Sequence, residues 1–185
     1  INSNMNVQET KEQLIAELIR LAFAEDIGDG DHTTLCCIPA TEMGKSQLIV
    51  KEDGVLAGVE MAERIFHTFD PELKMTTFIH DGAEVKKGDI AFVVEGKVQS
   101  LLQTERLMLN IMQRMSGVAT QTAVYVARLE GLHTKVLDTR KTTPGMRVLD
   151  KMAVKIGGGY GNVARTSCDS LRLPGAEHTG ETSGY

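Results

Sequence analysis

Apolar residues recur along this chain first at helical and then at extended spacing. Leu14, Ile15, Leu18, Ile19 and Ala22 share one face of a 3.6-residue period, which predicts an amphipathic packing helix from about Thr10 to Ala24. Residues 45–97 then read as strands with one helix inserted. Ser46–Lys51, Val55-Leu56-Ala57, Met75–His80 and Ile90–Glu95 have strand-like runs, while Glu60–Phe69 carries Met61, Ile65 and Phe69 at helical intervals before Asp70-Pro71 stops it. Ser100–Ser116 is the clearest predicted helix. Leu101, Met108, Met112 and Met115 form its apolar stripe, and Gln103, Arg106, Asn110 and Gln113 form a polar one. Uncharged amides around a single Arg are a poor solubilising face, so this second stripe is expected to be a buried or interfacial seam.

Beyond Ser116-Gly117 a separate helix is predicted from Ala119 to about Leu129, ending before Gly131. Lys135-Val136-Leu137 begins like a short buried strand. Pro144–Ile156 reads as a helix with Thr143 as N-cap and Pro144 at its first position, with Leu149, Met152, Ala153 and Ile156 on one face. Gly157, Gly159 and Gly161 follow this helix instead of a strand, which argues against a dinucleotide-binding turn. From Gly161 to Tyr185 neither period persists, and this segment is expected to be disordered.

Composition narrows the class. A hydrophobic content of 42% in 185 residues supports a packed core, and with 4% aromatics that core must be aliphatic and methionine-rich. The fold class expected is α/β. No apolar run approaches the ~20 residues of a membrane span, and a net charge of -5 argues against a general nucleic-acid binder. Cys36, Cys37 and Cys168 have no zinc-ligand spacing, and an odd count with an adjacent pair suits a reducing cytoplasm. The chain begins at Ile1, and Met5 is a candidate native start.

Three stretches carry candidate chemistry. Glu25-Asp26-Ile27-Gly28-Asp29-Gly30-Asp31-His32-Thr33-Thr34 is the most acidic, but it fails as an EF-hand: counted from Asp29, Thr34 and Ala40 stand where Gly and Glu are needed. It suits a tight loop whose Asp and Thr groups bond nearby amides. Asp81-Gly82-Ala83-Glu84-Val85-Lys86-Lys87-Gly88 resembles the hairpin of biotinyl and lipoyl carrier domains, with Lys97 the nearest candidate for modification. Leu137-Asp138-Thr139-Arg140-Lys141-Thr142-Thr143-Pro144-Gly145 places two adjacent cations between a strand and a helix, where α/β folds site their ligands. A guanidinium fork there suits a carboxylate or phosphate, with Lys as a mobile point charge.

Asp138 to Gly145 resembles the signature loop of the quinolinate phosphoribosyltransferase (carboxylating nicotinate-nucleotide pyrophosphorylase) family. The acidic run is similar to that family's Glu-Asp-x-Gly-x-Gly-Asp-x-Thr-Thr segment, and Thr104–Gly117 to its Glu-Arg-x-x-x-Asn-x-x-x-x-x-Ser-Gly helix. The resemblance implies an α+β N-terminal domain (residues 5–117), the first part of a β/α barrel (118–160) and a tail outside the family pattern (161–185). It implies transfer of a phosphoribosyl group from phosphoribosyl pyrophosphate to quinolinate with loss of carbon dioxide, in NAD biosynthesis, by a pentosyltransferase located in the cytoplasm. Arg106, Thr139, Arg140 and Lys141 are its implied substrate-binding residues. Arg106 would reach into a neighbouring subunit's site, so a homodimer with shared sites is implied. Magnesium would accompany the phosphoribosyl pyrophosphate, with no protein ligand for it recognised here. The Asn-His-Arg run expected after Gly159 is replaced by Gly161-Asn162-Val163-Ala164-Arg165. An incomplete barrel, a truncated or frameshifted end and loss of turnover are therefore expected. A related transferase linked to molybdenum transport is the alternative within the fold.

Overall fold

The computed structural model describes residues 7–161; the tail expected to be disordered lies outside them from residue 162 onward. Helix α1 (Val7–Ile27) buries Ile15 and Ile19, and its Phe23 ring lies 5.2 Å from Phe69. Gly28 and Gly30 then take positive φ, turning the chain so that Asp31 caps the short helix α2 (His32–Cys37). The Asp31 carboxylate accepts the Thr34 amide at 3.1 Å, and its bonds to Thr34 hold it below the ordinary carboxylate range. The acidic run is thus a helix-capping turn.

Strands β1 (Met43–Ile49) and β2 (Gly54–Val55), helix α3 (Val59–Phe69), and strands β3 (Lys74–Thr77), β4 (Glu84–Val85) and β5 (Ile90–Lys97) follow. One antiparallel sheet has the order β1-β5-β3, and β2 pairs with β4 in a second, two-stranded one. Central β5 buries Ala91, Phe92, Val93 and Val94 in succession. Edge strand β1 is mostly exposed, with a register shift between Leu48 and Ile49. The 81–89 segment is not a carrier hairpin. Asp81 caps the first amides of α3, accepting Val59 N at 2.8 Å, and Glu84-Val85 pairs with β2. Lys97 is the residue preceding the next helix and is paired with Glu72 at 2.6 Å, so it is not displayed on a turn between strands.

Helix α4 (Val98–Arg128) runs unbroken through Ser116-Gly117, where two helices were expected. An interior Gly costs only about 1 kcal/mol relative to Ala, and the tertiary structure uses this turn. Ser116 Oγ accepts from Ala57 N and donates to Ala57 O, both at 3.0 Å, while Thr120 Oγ1 accepts Val55 N at 2.9 Å. The segment after β2 lies close against α4: a Cβ on Gly58, whose φ is +100°, would stand 3.3 Å from Met112 Cα. The core between α3, α4 and β5 contains Met61, Met108, Met112 and Met115, with Phe66 and Phe92 edge to face at 6.1 Å. It is aliphatic and methionine-rich, as the composition requires.

Helix α5 (Arg147–Ile156) buries Leu149 and Ala153 in the same core. It starts later than expected, and Thr143 is not its cap. Thr143 O accepts Met146 N at 3.0 Å across Pro144-Gly145, and Gly145 has φ +80°. Pro followed by a positive-φ Gly makes a type II turn, a geometry that excludes a helix start at Pro144. The predicted strand at Lys135–Leu137 is reduced to one parallel bridge, Leu137 to Tyr160, and Leu137 is 52% exposed. A parallel strand gains its burial from neighbours on both sides, and the described residues supply one. The molecule is a mixed helix-and-strand domain followed by part of a barrel that is not closed.

Candidate functional site

The Leu137–Tyr160 bridge sets where the cationic loop begins. Tyr160 N donates to Val136 O at 2.8 Å and Asp138 N to Tyr160 O at 2.9 Å, so the chain leaves the bridge at Asp138. Thr139 turns the next residues by accepting Lys141 N on Oγ1 at 3.1 Å. The loop closes at the Thr143–Met146 turn. Between these points Arg140 and Lys141 are exposed, and among the described residues neither side chain enters an ion pair or hydrogen bond. Arg147, at the start of α5, lies back over the loop: its Nε reaches Thr142 Oγ1 at 3.3 Å and its Nη2 the Arg140 carbonyl at 3.5 Å.

Two further cations stand beside the loop, already neutralised. Arg114 of α4 grips the buried Asp150 of α5 through both carboxylate oxygens, at 2.7 and 2.8 Å, and donates to Thr143 Oγ1 at 2.8 Å. The Asp150 carboxylate raises the Arg114 guanidinium above its ordinary value. Lys151, 4% exposed, meets Asp138 Oδ2 at 2.6 Å. Cations therefore outnumber carboxylates around the loop: Arg140, Lys141 and Arg147 have no carboxylate partner among the described residues, and of these Arg140 and Lys141 face solvent. Such a site attracts a small polyanion.

Thr139, Arg140 and Lys141 are brought together. Arg106 is not: it lies two turns of α4, about 12 Å of rise, before Arg114, and its Nε pairs with Asp26 at 3.2 Å. The polar stripe around it is largely solvent-facing within the chain, with Asn110 and Gln113 exposed and Gln103 half-buried against the Gln99 carbonyl. Sequence reasoning missed Arg114, Asp150 and Lys151. Their signal was weak: a charged pair at 150–151 on a helix whose neighbours Leu149 and Ala153 are apolar. The glycines after α5 serve packing. A Cβ on Gly157 would lie 2.3 Å from the Ala119 carbonyl, and one on Gly161 would lie 2.1 Å from Asp138 Oδ2.

No group of three His, Cys, Asp or Glu able to hold a metal occurs among the described residues. Near the loop, Asp138 and Asp150 are each engaged by a cation. This set does not fit a directly coordinated magnesium ion.

Comparison with known proteins gives concordant matches. The family model for the quinolinate phosphoribosyl transferase N-terminal domain matches residues 31–116, and that for its C-terminal domain matches residues 118–173. A Nicotiana tabacum quinolinate phosphoribosyltransferase [decarboxylating] is 47% identical over 144 residues, covering 77% of this chain and 40% of the relative. An Oryza sativa nicotinate-nucleotide pyrophosphorylase [carboxylating], chloroplastic, is 46% identical over 144 residues, covering 77% and 38%. The crystal structure of NadC from Streptococcus pyogenes superposes with a TM-score of 0.78 at 38% identity, covering 84% of this chain and 55% of that one. The chain thus spans about two fifths of the length of these curated relatives. The names carry quinolinate and nicotinate-nucleotide chemistry, and neither the molybdenum-linked transferase nor the carrier module finds support in them.

Proposed function

We propose, on the premise that this chain belongs to the quinolinate phosphoribosyl transferase family, that it carries the dicarboxylate-binding part of an enzyme of de novo NAD biosynthesis. The reaction is phosphoribosyl transfer from phosphoribosyl pyrophosphate to quinolinate, with release of pyrophosphate and carbon dioxide to leave nicotinate mononucleotide. The observation that carries this reading is the exposed, unpaired Arg140-Lys141 cation pair at the end of the Leu137 bridge, beside cations already neutralised by Asp138 and Asp150. Quinolinate offers two adjacent carboxylates. Arg140 takes one through its fork and Lys141 balances the remaining charge, while the Thr139 hydroxyl holds the loop geometry. Fixing the substrate in this way orients its ring nitrogen toward the ribose carbon from which pyrophosphate departs.

Arg106 completes the clamp from a second copy of the chain. In support, it is 75% exposed on a stripe of uncharged amides, and its Asp26 partner is reachable by solvent. The reading therefore includes a homodimer with shared sites, acting in the cytoplasm. Magnesium enters with the phosphoribosyl pyrophosphate, as a charge screen on the pyrophosphate. No helix among the described residues is long and apolar enough to cross a membrane.

The test is calorimetric titration of the purified chain with quinolinate and with nicotinate, which has a single carboxylate. Quinolinate is expected to bind more tightly, and Arg140→Ala to weaken it by at least about tenfold, the equivalent of one charge-assisted bond. Equal binding of both acids, unchanged in Arg140→Ala, would overturn the assignment.

A further inference from the structure

The loop that presents Arg140 and Lys141 is tethered at both ends by two consecutive residues of one helix. Lys151 holds Asp138, where the loop begins. Asp150 holds Arg114, which in turn donates to Thr143, where the loop ends. Asp138 and Lys151 side chains are 9% and 4% exposed, and the Asp150 side chain is 10% exposed. A buried charge pair is a poor way to gain stability, since well-packed apolar residues of like volume serve as well or better. One buried pair and one half-buried pair, at opposite ends of an exposed cationic loop, instead define where that loop stands.

The same pairs remove competitors. Asp138 is two residues from Arg140 and three from Lys141. Left without Lys151, its carboxylate would be an uncompensated anion within three positions of both cations, and an external carboxylate would have to compete with it. Engaged by Lys151 inside the protein, it leaves the field of Arg140 and Lys141 directed outward.

We propose that Lys151, Asp150 and Arg114 are positioning residues for anion recognition: they fix both ends of the 138–143 loop and sequester Asp138 from the Arg140-Lys141 pair. This rests on the dicarboxylate reading for the identity of the ligand, but not for the loop's restraint.

Two variants separate the effects. Lys151→Met frees Asp138 to bind the loop cations, whereas Asp138→Asn/Lys151→Met removes both charges, so the loop loses its tether while no competing carboxylate remains. Each is examined in the full chain by thermal unfolding, by hydrogen exchange of amides 139–142, and by quinolinate titration. Both variants are expected to exchange those amides about tenfold faster, as loss of one restraining bond of about 1.4 kcal/mol allows. Lys151→Met should bind quinolinate more weakly than the double variant, and Lys151→Arg should restore much of the loss. Lys45→Ala, an exposed ion-pair change remote from the loop, is the unchanged control. Should Lys151→Met fail to fold, the double variant and Arg114→Lys carry the same test. Folded variants with wild-type exchange at 139–142 and wild-type binding overturn the proposal. A wild-type chain that ignores quinolinate while its variants still accelerate loop exchange sinks the dicarboxylate reading and leaves the positioning role standing.

Discussion

The two halves of α4 face different kinds of structure. Its first half packs against α3 and β5 through apolar side chains, and ion pairs such as Lys45–Glu95 and Lys97–Glu72 are solvent-exposed. From Arg114 onward it also meets the loop and α5, where charged groups are buried and several large apolar ones are exposed. There Asp138, Asp150 and Lys151 are buried, while Leu132, Leu137 and Tyr160 are 62%, 52% and 50% exposed. One region is held by non-directional burial and tolerates charge changes at its surface. The other adds to the burial of Leu149 and Ala153 directional bonds between charges, which cost desolvation but specify position. A ligand loop needs the second kind of restraint, because its backbone must stand still while its cations remain in water.

The largest effect should come from breaking the first region. Phe92→Ala removes a ring that is 1% exposed and stacked edge-on to Phe66, and is expected to cost about 3–5 kcal/mol in denaturant unfolding. A loss below about 1 kcal/mol would mean the sheet domain is not the cooperative core. In the second region, Asp138→Ala leaves Lys151 buried without its partner and should cost about 3 kcal/mol, while Asp138→Leu/Lys151→Met should recover most of it. If the single variant is as stable as wild type, directional charge is not what holds this half.

Smaller effects sharpen the boundary. Gly117→Ala should stabilise the chain by about 1 kcal/mol, because Gly117 is exposed inside α4 and an added Cβ meets nothing within 4 Å. Destabilisation on chemical unfolding would show that the helix bends there in solution. Asp70 accepts the buried Ser100 hydroxyl at 2.6 Å, which with the Glu72 amide and Lys97 holds its carboxyl below the ordinary value of 3.8. A depressed carboxyl contributes stability above its unfolded value and loses it as pH falls through the folded one. Asp70→Asn should therefore cost about 1 kcal/mol at neutral pH, after solvent screening, and nothing once wild-type Asp70 is itself protonated below that range. A pH-independent difference would assign the effect to packing. Lys45→Ala should change stability by no more than about 0.5 kcal/mol, measured the same way.

Much of the first region was legible because its signals are local. The 3.6-residue period of α1 and α3, the stop at Asp70-Pro71 and the apolar run of β5 each lie within a few residues. The Leu101, Met108, Met112 and Met115 stripe was buried as its spacing required. The loop could be located for the same reason, since strand, adjacent cations and Pro-Gly turn are contiguous. Reading Pro144 as a helix start failed because Pro opens turns and helices alike. Only the positive φ of Gly145, together with the Thr143–Met146 bond, distinguished them.

By itself, then, the sequence determined the principal helices and strands of the first region, the methionine-rich core and the place where Arg140 and Lys141 would stand. What it could not express were bonds between distant residues. Ser116 reaches Ala57 across 59 positions, and this is why a Ser-Gly step that reads as a break is a continuous helix. Arg114 reaches Asp150 across 36 positions and Lys151 reaches Asp138 across 13, converting ordinary surface charges into buried tethers. Pattern along a chain reports which face is apolar. Which polar groups meet across that face depends on how helices α4 and α5 pack, and only the tertiary structure decides that.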